Sequence, residues 1–278
     1  MGQASMLSFQ WFQAGFCKHY ACVTLQGGKF KKLRYPALCF FIQHPRFGNI
    51  LYDTGYSQRF CALTSSFPEC IYQWITPVTQ TQDLKVQLQA KNINPETINF
   101  IIISHFHSDH LGGLMDFPNA KFICHSEAWK SIKHLGRYRS LFRAFIPRLL
   151  PKDFEIRLQL LNHRQTIKLT SDMIPFDTGY DILGDGSLIV IDLPGHAKGH
   201  IGVLFQDNMG KIIFLVGDSC WHKQSFQSLR MPSLLTYLFH DNKKTYVDTI
   251  QKLHQLYLKN PKIKIIPSHC QLSLNDLA

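Results

Sequence analysis

The amino-acid sequence predicts an α/β protein, and three observations carry that reading. Four short runs rich in β-branched and aliphatic residues, 98–103, 187–193, 211–216 and 263–266, have the length and composition of strands buried in a sheet. Each leads into a loop that carries metal-type donors: 105–110, 196–200, Asp218 and His269 in turn. Between the runs lie stretches with apolar residues at helical spacing. The composition agrees: 278 residues, 45% hydrophobic and 13% aromatic, can bury a sizeable core, which excludes intrinsic disorder.

Along the chain, 37–43 and 48–53 read as paired strands, with Pro45, Arg46, Phe47 and Gly48 as turn chemistry between them. Residues 84–91 read as a short helix that breaks at Asn94, Pro95 and Glu96. The run 98–103 follows as a strand buried on both faces. Its histidine loop therefore stands at a strand's C-terminal edge, where α/β sheets build their sites. In 129–161, Tyr138, Leu141, Phe142, Phe145 and Leu149 recur at helical spacing; a helical insertion is predicted, kinked at Pro147 and stopped near Pro151. A second insertion, 221–246, is aromatic, Ser-rich and basic. Neither has linker composition, so 1–278 is expected to form a single domain.

The net charge of +11 is local. Residues 130–168 hold ten Lys and Arg against Asp153 and Glu155, and there is no basic stripe interleaved with aromatics, so nucleic acid is not an expected partner. No apolar run approaches the roughly 20 residues of a membrane span. The eight cysteines show no paired framework, and the N-terminus shows no export pattern; Met6 stands where myristoylation favours Ser or Thr. Reduced thiols and a cytoplasmic location are the expectation. Cys220 and Cys270, beside donor positions, read as packing residues.

The chemistry is concentrated in His105-Phe106-His107-Ser108-Asp109-His110, four donors within six residues. Composition alone produces such a run about twice in a thousand chains of this size, so chance is set aside. Imidazole nitrogens with a carboxylate suit zinc, with iron and manganese as alternatives. Alternation in an extended loop predicts that His105 and His107 grip one ion while Asp109 and His110 grip another.

The His105–His110 motif after a strand, the Pro194-Gly195-His196 to Gly199-His200 loop, Gly217-Asp218 and Pro267-Ser268-His269 together resemble the metallo-β-lactamase superfamily, in that family's order. The resemblance implies a four-layer αβ/βα sandwich with helical lid insertions and two metal ions, zinc by default. One ion would be held by His105, His107 and His196, the other by Asp109, His110 and His269, with Asp218 bridging both. Asp53 would orient these ligands and His200 would support them without ligating. A hydroxide between the ions would attack a carbonyl, and Asp109 or Asp218 would relay the proton.

Within the superfamily, the 22 residues from His196 to Asp218 resemble the spacing of N-acyl homoserine lactonases, quorum-quenching enzymes that carry a tyrosine three residues after the bridging aspartate; here that position is Trp221. The leading expectation is hydrolysis of a lactone or carboxyl ester of a small acyl molecule. The alternative is an acyl thioesterase acting on a coenzyme A or carrier-protein substrate, with the basic segment 130–168 as a lid that meets the anionic carrier. The His-x-His-x-Asp-His run also resembles glyoxalase II-type thioester hydrolases, although only nine residues follow His269. A phosphodiesterase and a non-catalytic metal-binding regulator rank lower. Trp221, His222, Phe142 and Phe145 are the candidate pocket residues. The other histidines outside the motif, 19, 44, 125, 134, 163, 240 and 254, are expected at the surface.

Overall fold

A computed structural model describes residues 7–162 and 166–276; Met1, Gly2 and Met6, together with His163 and Arg164 of the basic segment, lie outside the described residues. The first sheet is built from β1 (Ser8–Tyr20), β2 (Lys32–His44), β3 (Gly48–Tyr52), β4 (Val78–Thr79), β5 (Ile98–Ile102), β6 (Lys121–His125) and β7 (Leu158–Leu161), in the spatial order β4-β1-β2-β3-β5-β6-β7. From β3 to β7 the strands run parallel. The second sheet contains β8 (Thr166–Lys168), β9 (Thr178–Asp181), β10 (Leu188–Asp192), β11 (Ile201–Gln206), β12 (Ile212–Gly217) and β13 (Ile263–Pro267), in the order β13-β12-β11-β10-β9-β8.

The two sheets pack face to face. Leu38, Phe40, Ile42, Ile50 and Ile102 of the first meet Val190, Val203, Ile213, Leu215 and Ile266 of the second in one buried cluster. A short α1 (Ala21–Thr24) follows β1, and the outer face of the first sheet is covered by α2 (Gln58–Leu63), α3 (Cys70–Ile75), α4 (Leu84–Ala90), α5 (Ser108–Leu111), α6 (Ser126–Ile132), α7 (Arg137–Phe142) and α8 (Phe154–Arg157), whose apolar residues join a second cluster with β1, β2 and β5. On the outer face of the second sheet, α9 (Lys223–Ser228) and α10 (Lys243–Lys259) complete a third. Tyr246, Ile250, Leu253 and Leu256 form the buried stripe of α10, and the Asn242 side chain accepts from the Thr245 N–H at its start. Helices, two sheets and helices make the four layers expected from the resemblance.

Three expectations change. The strand β1 has no counterpart in the sequence reading, because a bulge between Gln13 and Phe16 shifts its register and breaks the alternation that marks a strand. In β5, Asn99 is exposed, so that strand is not buried throughout. The stretch 129–161 is not one kinked helix. It divides into the end of α6, α7, a 3-10 turn at Pro147–Leu149, α8 and β7, with Ala144 at φ 49° reversing the chain after α7. Several of its cations are already paired: Arg137 with Glu69 at 2.7 Å, Arg143 with Asp241 at 3.3 Å and Arg157 with Asp153 at 2.9 Å. No described helix is long and apolar enough to cross a membrane.

Phe40 has no exposed surface and lies between the sheets. Phe40→Ala is expected to cost about 3–5 kcal/mol in urea unfolding, whereas Phe142→Ala, at an exposed position, should stay within about 0.5 kcal/mol.

Candidate metal centre

Strand ends bring the candidate donors together. The chain leaves β5 through Ser104, and His105, His107, Asp109 and His110 follow within one loop and the first turn of α5. His105 and His107 fall in one group with His196; Asp109 and His110 fall in another with Asp218 and His269, the donor atoms of each group lying within 4.8 Å of one another. The split matches the sequence expectation but has a different cause. His107 is the last extended residue before α5, so Asp109 and His110 are turned away by the helix rather than by strand alternation.

Asp218, at the end of β12, stands between the groups. Its Oδ2 lies 3.4 Å from His196 Nε2 and 3.1 Å from His269 Nε2, and its Oδ1 lies 3.3 Å from His110 Nε2. Its backbone N–H donates to His200 Nε2 at 3.0 Å, so that nitrogen is occupied and His200 supports the aspartate. The close packing requires Gly217: at φ +52°, a Cβ there would stand 2.6 Å from His200 Nε2. Gly195, at φ +125°, similarly lets the start of α10 press onto the loop, where the Asp241 N–H donates to the His196 carbonyl at 3.0 Å.

Asp53 holds the second group from below. It accepts from the Ser104 N–H at 2.8 Å, from Ser104 Oγ at 2.7 Å and from His110 Nδ1 at 2.6 Å. That fixes the His110 ring with Nε2 toward Asp218. Its own backbone sits at φ 60°, a conformation that costs a non-glycine residue about 1 kcal/mol and is kept by these three bonds. His269 donates Nδ1–H to the Pro36 carbonyl at 2.7 Å, which leaves its Nε2 toward Asp109 and Asp218.

Burial lowers the pKa of His105 and His196 well below the usual imidazole range and that of His107 to about 4, so these rings are neutral with lone pairs to offer. Burial also opposes charge on His269, but Asp218 and Asp109 outweigh it and push its pKa up to about 10. His110 is raised in the same way by Asp53, Asp218 and Asp109. The centre is therefore an anionic pocket that calls for positive charge. His105 Nε2, His110 Nε2, His269 Nε2, His196 Nδ1 and Asp218 Oδ1 are buried without a hydrogen bond. Such atoms normally cost about 1–3 kcal/mol each, and their concentration around three carboxylates fits a site for divalent cations.

A cavity of about 160 Å³ opens directly above these donors. His107, Asp109, His196 and Asp218 form its floor; Val23, Ile75, Leu235 and Phe239 contribute apolar walls.

A family model of the metallo-β-lactamase superfamily matches residues 34–219. The chain belongs to the metallo-β-lactamase superfamily. Its similarity to curated relatives is lower. An N-acyl homoserine lactonase AttM of Rhizobium radiobacter is 26% identical over 194 residues, 66% of this chain, and the match spans 62% of that relative, less than two thirds of its length. An N-acyl homoserine lactonase AttM of Azorhizobium caulinodans is 25% identical over 244 residues, covering 84% of this chain and 81% of that one. The solved structure of an N-acyl homoserine lactone hydrolase with N-hexanoyl-L-homoserine at its catalytic metal centre has a TM-score of 0.70 at 17% identity, covering 99% and 97% of the two chains; it shows the shared fold. Membership places the chain among metal-dependent hydrolases.

In this metallo-β-lactamase fold, the candidate pocket residues are only partly where the sequence put them. Trp221 lines the cavity, and its indole N–H donates to Asp218 Oδ2 at 2.8 Å. His222 does not line it; it stands behind Thr24, with 2.9 Å between His222 Nε2 and Thr24 Oγ1. Phe145 is buried against Phe106 on the outer face of the first sheet, and Phe142 is 83% exposed. The helical spacing that suggested both is satisfied by core packing and solvent. His44 and His125 are buried rather than exposed, and His19 and His240 line the cavity. Sequence reasoning missed Ser104, although it adjoins the motif. It also missed Tyr72, whose hydroxyl donates to Asp109 Oδ1 at 3.5 Å and which lines the cavity from α3. Nothing in the spacing of Tyr72 could have revealed it.

Metal analysis of the purified protein should return two ions per chain, and one in His196→Ala. At an ion concentration a hundred times Kd, binding adds about 2.7 kcal/mol to the stability of the native state. The corresponding rise in melting temperature, roughly 5–10 °C, should shrink in that variant.

Proposed function

We propose that the chain is a di-metal hydrolase that opens a lactone or carboxyl ester bearing an apolar acyl group. The observation that carries the reading is the placement of Asp218 between two donor groups at the floor of an apolar cavity. His105, His107 and His196 would hold one ion, and Asp109, His110 and His269 the other, with Asp218 shared between them. Bound there, the ions supply Lewis acidity, polarising a carbonyl and acidifying water. Zinc is the first metal to test, and iron and manganese accept the same donors.

The chain's own residues supply orientation and proton transfer. Asp109 and Asp218 face the cavity as carboxylates: burial raises their pKa values, but His110 and His269 bring both below the usual range. Each can accept a proton and release it to a leaving oxygen. Tyr72 fixes Asp109 through its hydroxyl, and Trp221 fixes Asp218 through its indole N–H. In the lactonase-like pattern a phenol occupies position 221; the indole donates to the carboxylate and offers nothing to a substrate carbonyl beyond that. The apolar walls exclude water from the acyl side and favour long chains over short ones.

The names of the relatives favour lactone opening. A panel of acyl homoserine lactones, p-nitrophenyl acyl esters, acyl-coenzyme A thioesters and bis(p-nitrophenyl) phosphate tests this. Lactone or ester turnover is expected, with kcat/KM rising about four-fold per methylene while the chain fits the cavity, from about 0.8 kcal/mol per buried CH2. Asp109→Ala should lower kcat/KM at least about a hundred-fold, or about 2.7 kcal/mol. Turnover of the phosphate diester alone, or of thioesters alone, would overturn the reading. In Trp221→Phe, a smaller loss of roughly ten-fold in kcat is expected, because the carboxylate stays and only its indole partner goes.

A further inference from the structure

We propose that the mouth of the cavity is a docking surface for an anionic phospholipid bilayer. The proposal concerns where the protein sits and is independent of which bond it cleaves.

Ile75, Leu235 and Phe239 line the cavity and are also exposed, so they mark its mouth. Around that mouth the same elements carry large apolar side chains that are mostly exposed. Trp74 at the end of α3 is 73% exposed, and Leu234 and Leu238 of the 3-10 turn Leu234–Phe239 are 68% and 79% exposed. Across the opening, Phe142 closes α7 two residues before Ala144, which lines the cavity. The 3-10 turn is tied to α1 by the bond from Thr236 Oγ1 to the Val23 carbonyl, 2.9 Å, so it is held in this exposed position by the fold. Contiguous apolar surface of this kind on one rim marks an interaction site.

Charge selects the partner. Segments 21–34, 128–152 and 219–240, which supply three sides of the rim, contain thirteen Lys and Arg and no Asp or Glu. The acids that do approach are paired: Glu69 with Arg137 and Arg148, Asp241 with Arg143, and Glu127, one residue before the second segment, with Lys130. Lys29 and Lys31 on the turn after α1, and Lys32 and Arg34 at the start of β2, have no acidic neighbour in their own segment and are exposed. Leucines and a tryptophan surrounded by cations match the acyl and headgroup layers of an anionic leaflet. A second protein copy, carrying the same cations, would repel itself across this face. With the mouth at the lipid surface, an acyl chain passes from bilayer to cavity without crossing water.

Vesicle flotation of the full chain tests this, with phosphatidylcholine alone or with about 30% phosphatidylglycerol. Partitioning should be at least ten-fold stronger on the anionic vesicles, fall in about 0.5 M NaCl, and be accompanied by a blue shift of tryptophan emission that Trp74→Phe removes. L234D/L238D should lose at least ten-fold in partitioning with an unchanged circular-dichroism melt. K31E/K32E should lose the preference for phosphatidylglycerol. No flotation on either vesicle, or flotation unaltered by both double variants, would overturn the proposal. So would a dimer in sedimentation that L234D/L238D dissociates, because that assigns the face to a second copy.

Discussion

Three carboxylates, Asp53, Asp109 and Asp218, are buried within 3.7 Å of three histidine side chains, His110, His196 and His269, and the folded chain must balance their charge. A buried carboxylate without such partners would be strongly destabilising. The carboxylates hold the pKa values of His110 and His269 above the usual imidazole range, Ser104 and Trp221 donate hydrogen bonds to them, and the donor arrangement suits divalent ions. Much of the local architecture follows from keeping these groups in register: the positive φ of Asp53, the glycines at 195 and 217, and the bond from the Asp218 N–H to His200. Each is a small local cost or constraint held in place by two rigid sheets.

The sandwich makes such precision possible because the donors stand at strand ends. β5, β12 and β13 are pinned by their sheet neighbours and by the core between the sheets, so their last residues have little freedom. The substrate side is built differently. The cavity walls come from α1, α3 and the turn Leu234–Phe239, short elements of which α1 and the turn are tied to each other by a few bonds. A rigid floor thus lies under a wall of short, apolar pieces. The cavity and its exposed rim form one continuous apolar path, which links the proposed chemistry to the proposed bilayer contact.

The sequence was most informative where a single local pattern carried the meaning. The 105–110 motif, the 194–200 loop and the ends of three strands are short-range signals, and the structure gathers the residues they named. The same logic failed for residues 129–161. Helical spacing there is real over single turns, but Gly136 and the reversal at Ala144 divide it before the expected kink at Pro147. It failed for β1 because a bulge removes the alternation by which strands are recognised.

By itself, then, the sequence marked the α/β class and the clustered histidines and aspartates, since buried β-branched runs and short motifs are local properties of the chain, and the layer order followed from the family resemblance those motifs carry. Only the tertiary structure decided what surrounds them. Tyr72 reaches Asp109 from α3, His240 packs against His196, and Phe145 turns into the core while Trp221 turns toward Asp218. Apart from that between Trp221 and Asp218, these contacts join residues more than thirty positions apart in the chain, through packing that no spacing rule encodes. The walls of a cavity are set by which distant side chains meet, and that is a property of the folded whole.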